Sequence, residues 1–188
     1  DMVSSIFRDE IQQLNGTDAN LIFPSDKQLQ GEWTPNSVSH AIDQLLQDDQ
    51  VDLIVALGIL ASGDICRRED LSKPVIAPYV LDAKLQGIPL VDGSSGVPNL
   101  SYISYFTDIA RDIEVFQKVA PFTRLAFLAS SAAFEANPVY YENMLEIMRD
   151  KGIKVDLIEV GTSVGPAINA ISDQVEAVYL SPLLGLPD

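Results

Sequence analysis

Cysteine is almost absent from this chain: Cys66 stands alone among 188 residues. That excludes an internal disulfide and any zinc site built on several thiolates. Histidine is equally scarce, and His40 is the single candidate for an imidazole base. Positive charge is short as well. Only 12 Lys and Arg face 27 Asp and Glu, giving a formal net charge of -15. Nucleic acid and anionic membranes both need a basic face, so neither is expected as a partner. No apolar run reaches the ~18–20 residues that cross a bilayer. The longest, near Val51–Ala61 and Leu125–Ala133, are strand-sized, and no membrane insertion of this segment is expected. Neither G-x-G-x-x-G nor G-x-x-x-x-G-K-[ST] occurs, which removes the dinucleotide and P-loop readings at the motif level. No cofactor and no metal are expected.

What is present is an ordinary globular composition, 47% hydrophobic and 21% charged, too apolar for disorder. The acidity is spread evenly. Residues 1–119 hold 18 acidic and 8 basic side chains, and residues 120–188 hold 9 and 4. The opening, Asp1-Met2-Val3-Ser4, does not read as a signal peptide. An Asp in first place is expected of a processed or trimmed chain.

Apolar spacing predicts a helix over 2–14, stopped at Asn15-Gly16. Asn20–Phe23, closed by Pro24, reads as a strand. Thr34-Pro35 is a cap followed by Pro at the first helical position, and Val38, Ala41, Ile42, Leu45 and Leu46 give that helix one apolar stripe. A buried strand over 52–57, a short helix over 59–68 and a strand over 74–77 follow. Residues 79–101 are punctuated by Gly and Pro and predict a loop, an edge strand at 88–91 and a short segment at 100–103. A helix over 108–119 leads to a second series: strand 124–129, helix 140–151 ended by Gly152, strand 155–160, a helix from 166 and strand 177–180. Solid apolar strands alternating with helices are the pattern of parallel sheets buried on both faces. The reading is α/β, with three-layer α/β/α lobes: an N-terminal lobe over 1–104, a joint helix and crossover over 105–121, and a partial C-terminal lobe over 122–188. The first unit opens on a helix and the second ends after its third strand. A fragment of a longer chain, lacking the first strand and the C-terminal part, is expected; completion by another copy is the alternative.

Ligands of parallel α/β sheets meet the carboxyl ends of the strands. There the chain places Leu60, Ala61 and Ser62, then Tyr79, then Ser130, Ser131 and Phe134, and finally Ser181. Small hydroxyls and free N–H groups at helix starts suit a small polar group, and they also serve as ordinary caps. Tyrosines, among them Tyr79, Tyr102 and Tyr105, cluster with Phe106 and Phe134 around the loops and the joint, where they supply flat apolar area with a polar tip. Gly161-Thr-Ser-Val-Gly165 fits G-x-S-x-G, but a nucleophile elbow takes its His after the Ser, and His40 lies upstream. Cys66 reads as a buried structural thiol. Asp48, Asp49 and Asp52 lie at the amino end of a strand, away from any ligand, and Asp82, Asp92 and Asp108 form no carboxylate pair with catalytic or metal-binding spacing. Asn15-Gly-Thr17 and Asn99-Leu-Ser101 fit the glycosylation pattern.

Several segments, in order, resemble the periplasmic substrate-binding proteins of ABC importers, in the branch described as similar to a tryptophan/tyrosine uptake component. They are Val51-Asp-Leu-Ile-Val-Ala-Leu-Gly-Ile-Leu-Ala-Ser62, Lys73-Pro-Val-Ile-Ala-Pro78, Asn99-Leu-Ser-Tyr102, Phe116 to Phe122, Arg124-Leu-Ala-Phe-Leu128, Gly152-Ile-Lys-Val155 and Val175-Glu-Ala-Val-Tyr-Leu-Ser-Pro182. The resemblance covers nearly the whole chain, by order and spacing. It implies a type I periplasmic-binding fold and a non-enzymatic role: capture of a small organic solute, an amino acid among the candidates, for delivery to an ABC permease. It implies a periplasmic or extracytoplasmic, lipid-anchorable location, and ligand contacts from Leu60, Ala61, Ser62, Tyr79, Tyr102, Ser130, Ser131, Phe134 and Ser181. Leu57-Gly58-Ile59 stands where many relatives are richer in Thr and Ser, and no Gly follows Tyr102, which leaves the ligand open. The alternatives are a ligand-sensing regulatory domain of the same fold and an α/β hydrolase-like or other small-molecule enzyme.

Overall fold

Local chemistry sets the element boundaries. The Thr34 hydroxyl accepts from the Ser37 N–H and Pro35 supplies the preset φ of the first turn, so a helix starts there. Gly58 at φ 105° makes the sharp exit from a strand into the next helix, a conformation that a side chain would strain. Gly152 at φ 74° closes another helix and turns the chain into a strand. The computed structural model describes residues 2–16, 19–183 and 185–186. Its elements are α1 (Met2–Asn15), a 3-10 turn (Ser25–Lys27), α2 (Pro35–Gln47), β1 (Ile54–Val55), α3 (Ile59–Ile65), β2 (Val75–Leu81), β3 (Leu100–Tyr105), α4 (Ile109–Val119), β4 (Arg124–Ser130), α5 (Ser131–Ala136), α6 (Pro138–Asp150), β5 (Lys154–Val160), α7 (Val164–Asn169) and β6 (Ala177–Leu180).

The architecture is α/β, with parallel sheets flanked by helices. The first sheet runs β1-β2-β3 and the second β5-β4-β6, every pair parallel. The central strand of the second sheet, Arg124-Leu-Ala-Phe-Leu-Ala-Ser130, is buried at every position after Arg124. Helices cover both of its faces. Ile113, Phe127, Tyr141, Met144 and Met148 form a core on one side, and Ala126, Leu128, Ile158, Val160 and Ala167 form one on the other. The first unit packs α2 and α3 on its sheet through Ile42, Ile54, Leu60, Ile65, Val75 and Ala77. The two units interlock. Ala136 of α5 lies in the first unit's core, and Leu81 and Leu85 pack against the second unit's core.

Several boundaries differ from expectation. Residues 20–23 form no strand: Ile22 is exposed and the segment pairs with no neighbour among the described residues. An apolar run without a ladder beside it has nothing to satisfy its N–H and C=O groups as a strand. The edge strand at 88–91 reduces to one bridge between Val91 and Ser94, a turn closing on itself. The β1 ladder is only two residues long, and β2 and β3 run further than expected, to Leu81 and Tyr105. A short helix, α5, precedes the one expected over 140–151, and Asn137-Pro138 breaks it from α6.

Candidate functional site

α3 and α5 follow the carboxyl ends of β1 and β4, each the first helix after a strand of its own sheet, and they pack against each other. The ends of parallel strands from both sheets therefore meet at one junction. Its surroundings are small: Ala61, Ser62 and Gly63 on α3, and Ala132, Ala133 and Ala136 on α5. Small side chains let helix backbones approach closely.

Ser62 is fully buried and its hydroxyl is spoken for. It donates to the Ala56 carbonyl at 2.8 Å and accepts from the Tyr79 N–H at 3.0 Å. The reason lies in the sheet. Ile54 and Ala56 donate to Pro74 and Ile76 in turn. The next bond of that parallel ladder would bring the N–H of residue 78 to the Ala56 carbonyl, and Pro78 has none. The serine hydroxyl takes that place. Leu60, 5% exposed, points into the first core, and Ala61 packs half-buried beside it. Tyr79 is half-buried, with its ring stacked 5.7 Å from that of Tyr105. Tyr102 is directed elsewhere: it packs on the first core and donates its phenol to the Pro89 carbonyl at 2.8 Å.

In the second unit, Ser130 ends β4 and caps α5, accepting from the Ala133 N–H at 3.2 Å, and is buried. Ser131 is half-buried at the start of α5. Phe134 lies against Tyr141 at a centroid separation of 5.1 Å. The Ser181 hydroxyl, one residue past β6, is buried beside the Tyr141 phenol without a hydrogen bond of good geometry. Burial pushes the Tyr141 phenol up to about 12, and lifts that of Tyr140 as well. Phe134 and Ser181 thus meet at Tyr141, Ser130 caps the same helix α5, and Ala61 and Ser62 lie on α3, which packs against α5. Tyr102 stands apart from them.

Other residues at the junction carry no motif. Asp82, buried and at φ 45°, accepts from the Leu85 N–H at 3.1 Å and from the Thr107 hydroxyl at 3.4 Å. Thr107 in turn faces the Tyr140 phenol. The Asn143 amide donates across the units to the Leu85 carbonyl at 2.8 Å. Asn137, between α5 and α6, turns its Oδ1 toward Gly63. The signals available in the sequence were a Gly inside a short helix and an Asn-Pro step, both of which also have local readings.

The best-formed concavities lie away from this junction. One, of about 410 Å³, is lined by Asp43, Leu46, Glu69, Asp70 and Pro98. Another, of about 630 Å³, opens beside Arg124, Asp156, Glu159 and Pro166. His40 is exposed on α2, whereas Gly161–Gly165 leads into α7 of the other unit, where the Ser163 side chain makes no cap. No group of three or more His, Cys, Asp or Glu side chains suited to a metal occurs among the described residues. No helix is long and apolar enough to cross a membrane among the described residues. Burial pushes the Cys66 thiol up to about 12, which suits a packing role rather than a nucleophile.

No protein-family model matches the chain, and no curated protein matches it. A solved structure does: the ABC domain in complex with L-Trp from Streptococcus pneumonia, at 18% identity and a TM-score of 0.56. The match covers 78% of this chain and 50% of that one, so the chain spans half the length of the protein it resembles. At this identity the likeness is one of fold. The chain shares the α/β fold of that domain, with parallel sheets flanked by helices.

Proposed function

We propose that the chain is the solute-capturing portion of an extracytoplasmic ABC-type binding protein, non-catalytic, which takes a small organic molecule between its two α/β units and passes it to a membrane permease. On this reading the two units are lobes over 1–104 and 122–188, joined over 105–121. One observation carries the reading: α3 and α5, each at the carboxyl end of a parallel strand, meet across the junction. The fold likeness to a domain that holds L-Trp supports it. The strand-end set is Leu60, Ala61, Ser62, Tyr79, Tyr102, Ser130, Ser131, Phe134 and Ser181, of which Leu60 faces the core, Ser62 is spent on the sheet and Tyr102 turns to Pro89. Within it, Ala61, Tyr79, Ser131 and Phe134 keep exposed surface without a committed polar group, so they offer apolar and aromatic contact. The part-exposed rings of Tyr79 and Phe134 favour a flat or aliphatic solute, and an aromatic amino acid is the first candidate.

Thermal-shift screening of the protein against amino acids, nucleobases and sugars tests this. A solute at 100 times its Kd stabilises the folded state by about 2.7 kcal/mol, a shift of several degrees for a domain of this size. The expected result is a saturable shift with one chemical class, reduced in Phe134→Ala. Absence of any shift across all three classes refutes capture of these solutes.

A further inference from the structure

We propose that Gly63 and Asn137 form a weak, releasable latch between the two α/β units: the bare backbone of Gly63 lets α5 close on α3, and the unpartnered Asn137 oxygen keeps that closure easy to undo. The inference rests on the two-unit reading above and adds the element that sets how readily the units part.

Asn137 is 5% exposed. It stands at the cap position of α6, yet its side chain makes no cap there. Its Nδ2 donates weakly to the Ala133 carbonyl at 3.4 Å, and its Oδ1 is buried with no partner. That oxygen is aimed at α3: a Cβ on Gly63 would lie 2.7 Å from it, so a side chain there forces the buried amide, held only by its weak bond to Ala133, to turn away or the two helices to part. The Arg67 guanidinium borders the same spot, with Nη1 3.5 Å from that Cβ position. Arg67 makes no ion pair among the described residues, whereas its neighbour Arg68 takes both Asp43 and Asp64. The contact therefore combines two opposed effects. Ala132 and Ala136 pack on the first core, which favours closure. An acceptor buried without a donor opposes it, and water satisfies that acceptor once the units part. An element balanced in this way responds to small perturbations.

The test measures the distance between spin labels on Asp49→Cys and Asp173→Cys, both exposed positions in opposite units, in the whole protein without solute. The buried Cys66 resists labelling. Gly63→Ala is expected to lower the ratio of the short-distance to the long-distance population by about tenfold, as expected for directly coupled neighbours. Gly63→Ala/Asn137→Ala is expected to restore the short distance, because the clash needs both atoms. Asn137→Ala alone, which tests the same idea should Gly63→Ala fold poorly, is expected to keep the short distance and melt at or above the wild type. Distances unchanged in Gly63→Ala, no recovery in the double variant, or a lower melting temperature in Asn137→Ala would each overturn the latch. No solute enters this experiment, so its failure leaves the capture reading to the thermal-shift result.

Discussion

Removal of the Ser62 hydroxyl tests whether this residue holds the fold or meets a solute. Ser62→Ala leaves two buried groups without partners, the Ala56 carbonyl and the Tyr79 N–H, which the hydroxyl now satisfies at 2.8 and 3.0 Å. Each unpaired buried group costs about 1–3 kcal/mol. With no exposed surface at Ser62 through which water could compensate, the expected loss is about 2–4 kcal/mol. For a chain of this length that is a drop in Tm of about 5–15 °C. Urea unfolding gives the same quantity independently. A second substitution separates the ladder argument from generic damage. Pro78→Ala restores an N–H where the ladder lacks one, so it should recover about 1 kcal/mol when combined with Ser62→Ala, while helping the wild type less. A Ser62→Ala protein within about 0.5 kcal/mol of wild type, or a double variant that is simply additive, refutes the reasoning. A solute-binding hydroxyl gives the opposite pattern: weaker binding at unchanged Tm.

Acid stability offers a second check. The Glu176 carboxylate accepts from the Thr123 N–H, the Thr123 hydroxyl and the Arg124 N–H, and these hydrogen bonds hold it below the ordinary carboxylate value. Its contribution is present above the unfolded-state pKa and is lost as pH falls through the folded one. Glu176→Gln should therefore flatten the stability profile below about pH 4.5, and an unchanged acid limb in urea titrations counts against the cluster. Cys66, with its thiol pushed up to about 12 by burial, should resist iodoacetamide at pH 8 in the native protein and react at once in urea; fast native labelling contradicts its placement. Phe127→Ala removes a ring stacked 4.9 Å from that of Tyr179 and edge-on to Tyr141. It should cost about 3–5 kcal/mol by chemical unfolding, and a loss under 1 kcal/mol contradicts the core assignment.

Strands written as solid apolar runs were the legible part of this fold. Leu125–Ala129 and Ala177–Leu180 read as strands from their apolar runs alone, and the Thr34-Pro35 cap placed the start of α2. Elements whose existence depends on a neighbour were not legible. Residues 20–23 have a strand's composition, but among the described residues no ladder lies beside them. β3 runs to Tyr105 because Leu81 lies in register with it, although its outer positions Ile103 and Tyr105 are exposed and its sequence is half polar. The site divides in the same way. The rule that ligands meet strand ends located Ala61, Ser130, Ser131 and Phe134 near one junction. It could not show that the Ser62 hydroxyl is spent on the sheet, since that follows from Pro78 falling where an N–H should reach the Ala56 carbonyl, a matter of register across more than 20 residues. Nor could it show Tyr102 turned to Pro89, or Asn137 against Gly63.

The junction itself explains why so acidic a chain can bring two units together. Its facing surfaces hold small residues of α3 and α5, the aromatics Phe134 and Tyr141, the Arg67 guanidinium beside Gly63, and Asp82 with both carboxylate oxygens hydrogen-bonded, so no two acidic groups oppose each other among the residues named. The excess of negative charge is left to solvent, where water and salt screen it. A solute that enters between α3 and α5 must first part them, so its apparent affinity is its intrinsic affinity reduced by the fraction of molecules already open. Rim charges then act on the rate of approach more than on the strength of holding. A cationic solute gains from the acidic exterior at low ionic strength, an anionic one loses, and a neutral or zwitterionic one is indifferent. A salt-independent association rate for the solute found by screening would therefore point to the last class, the one to which amino acids belong.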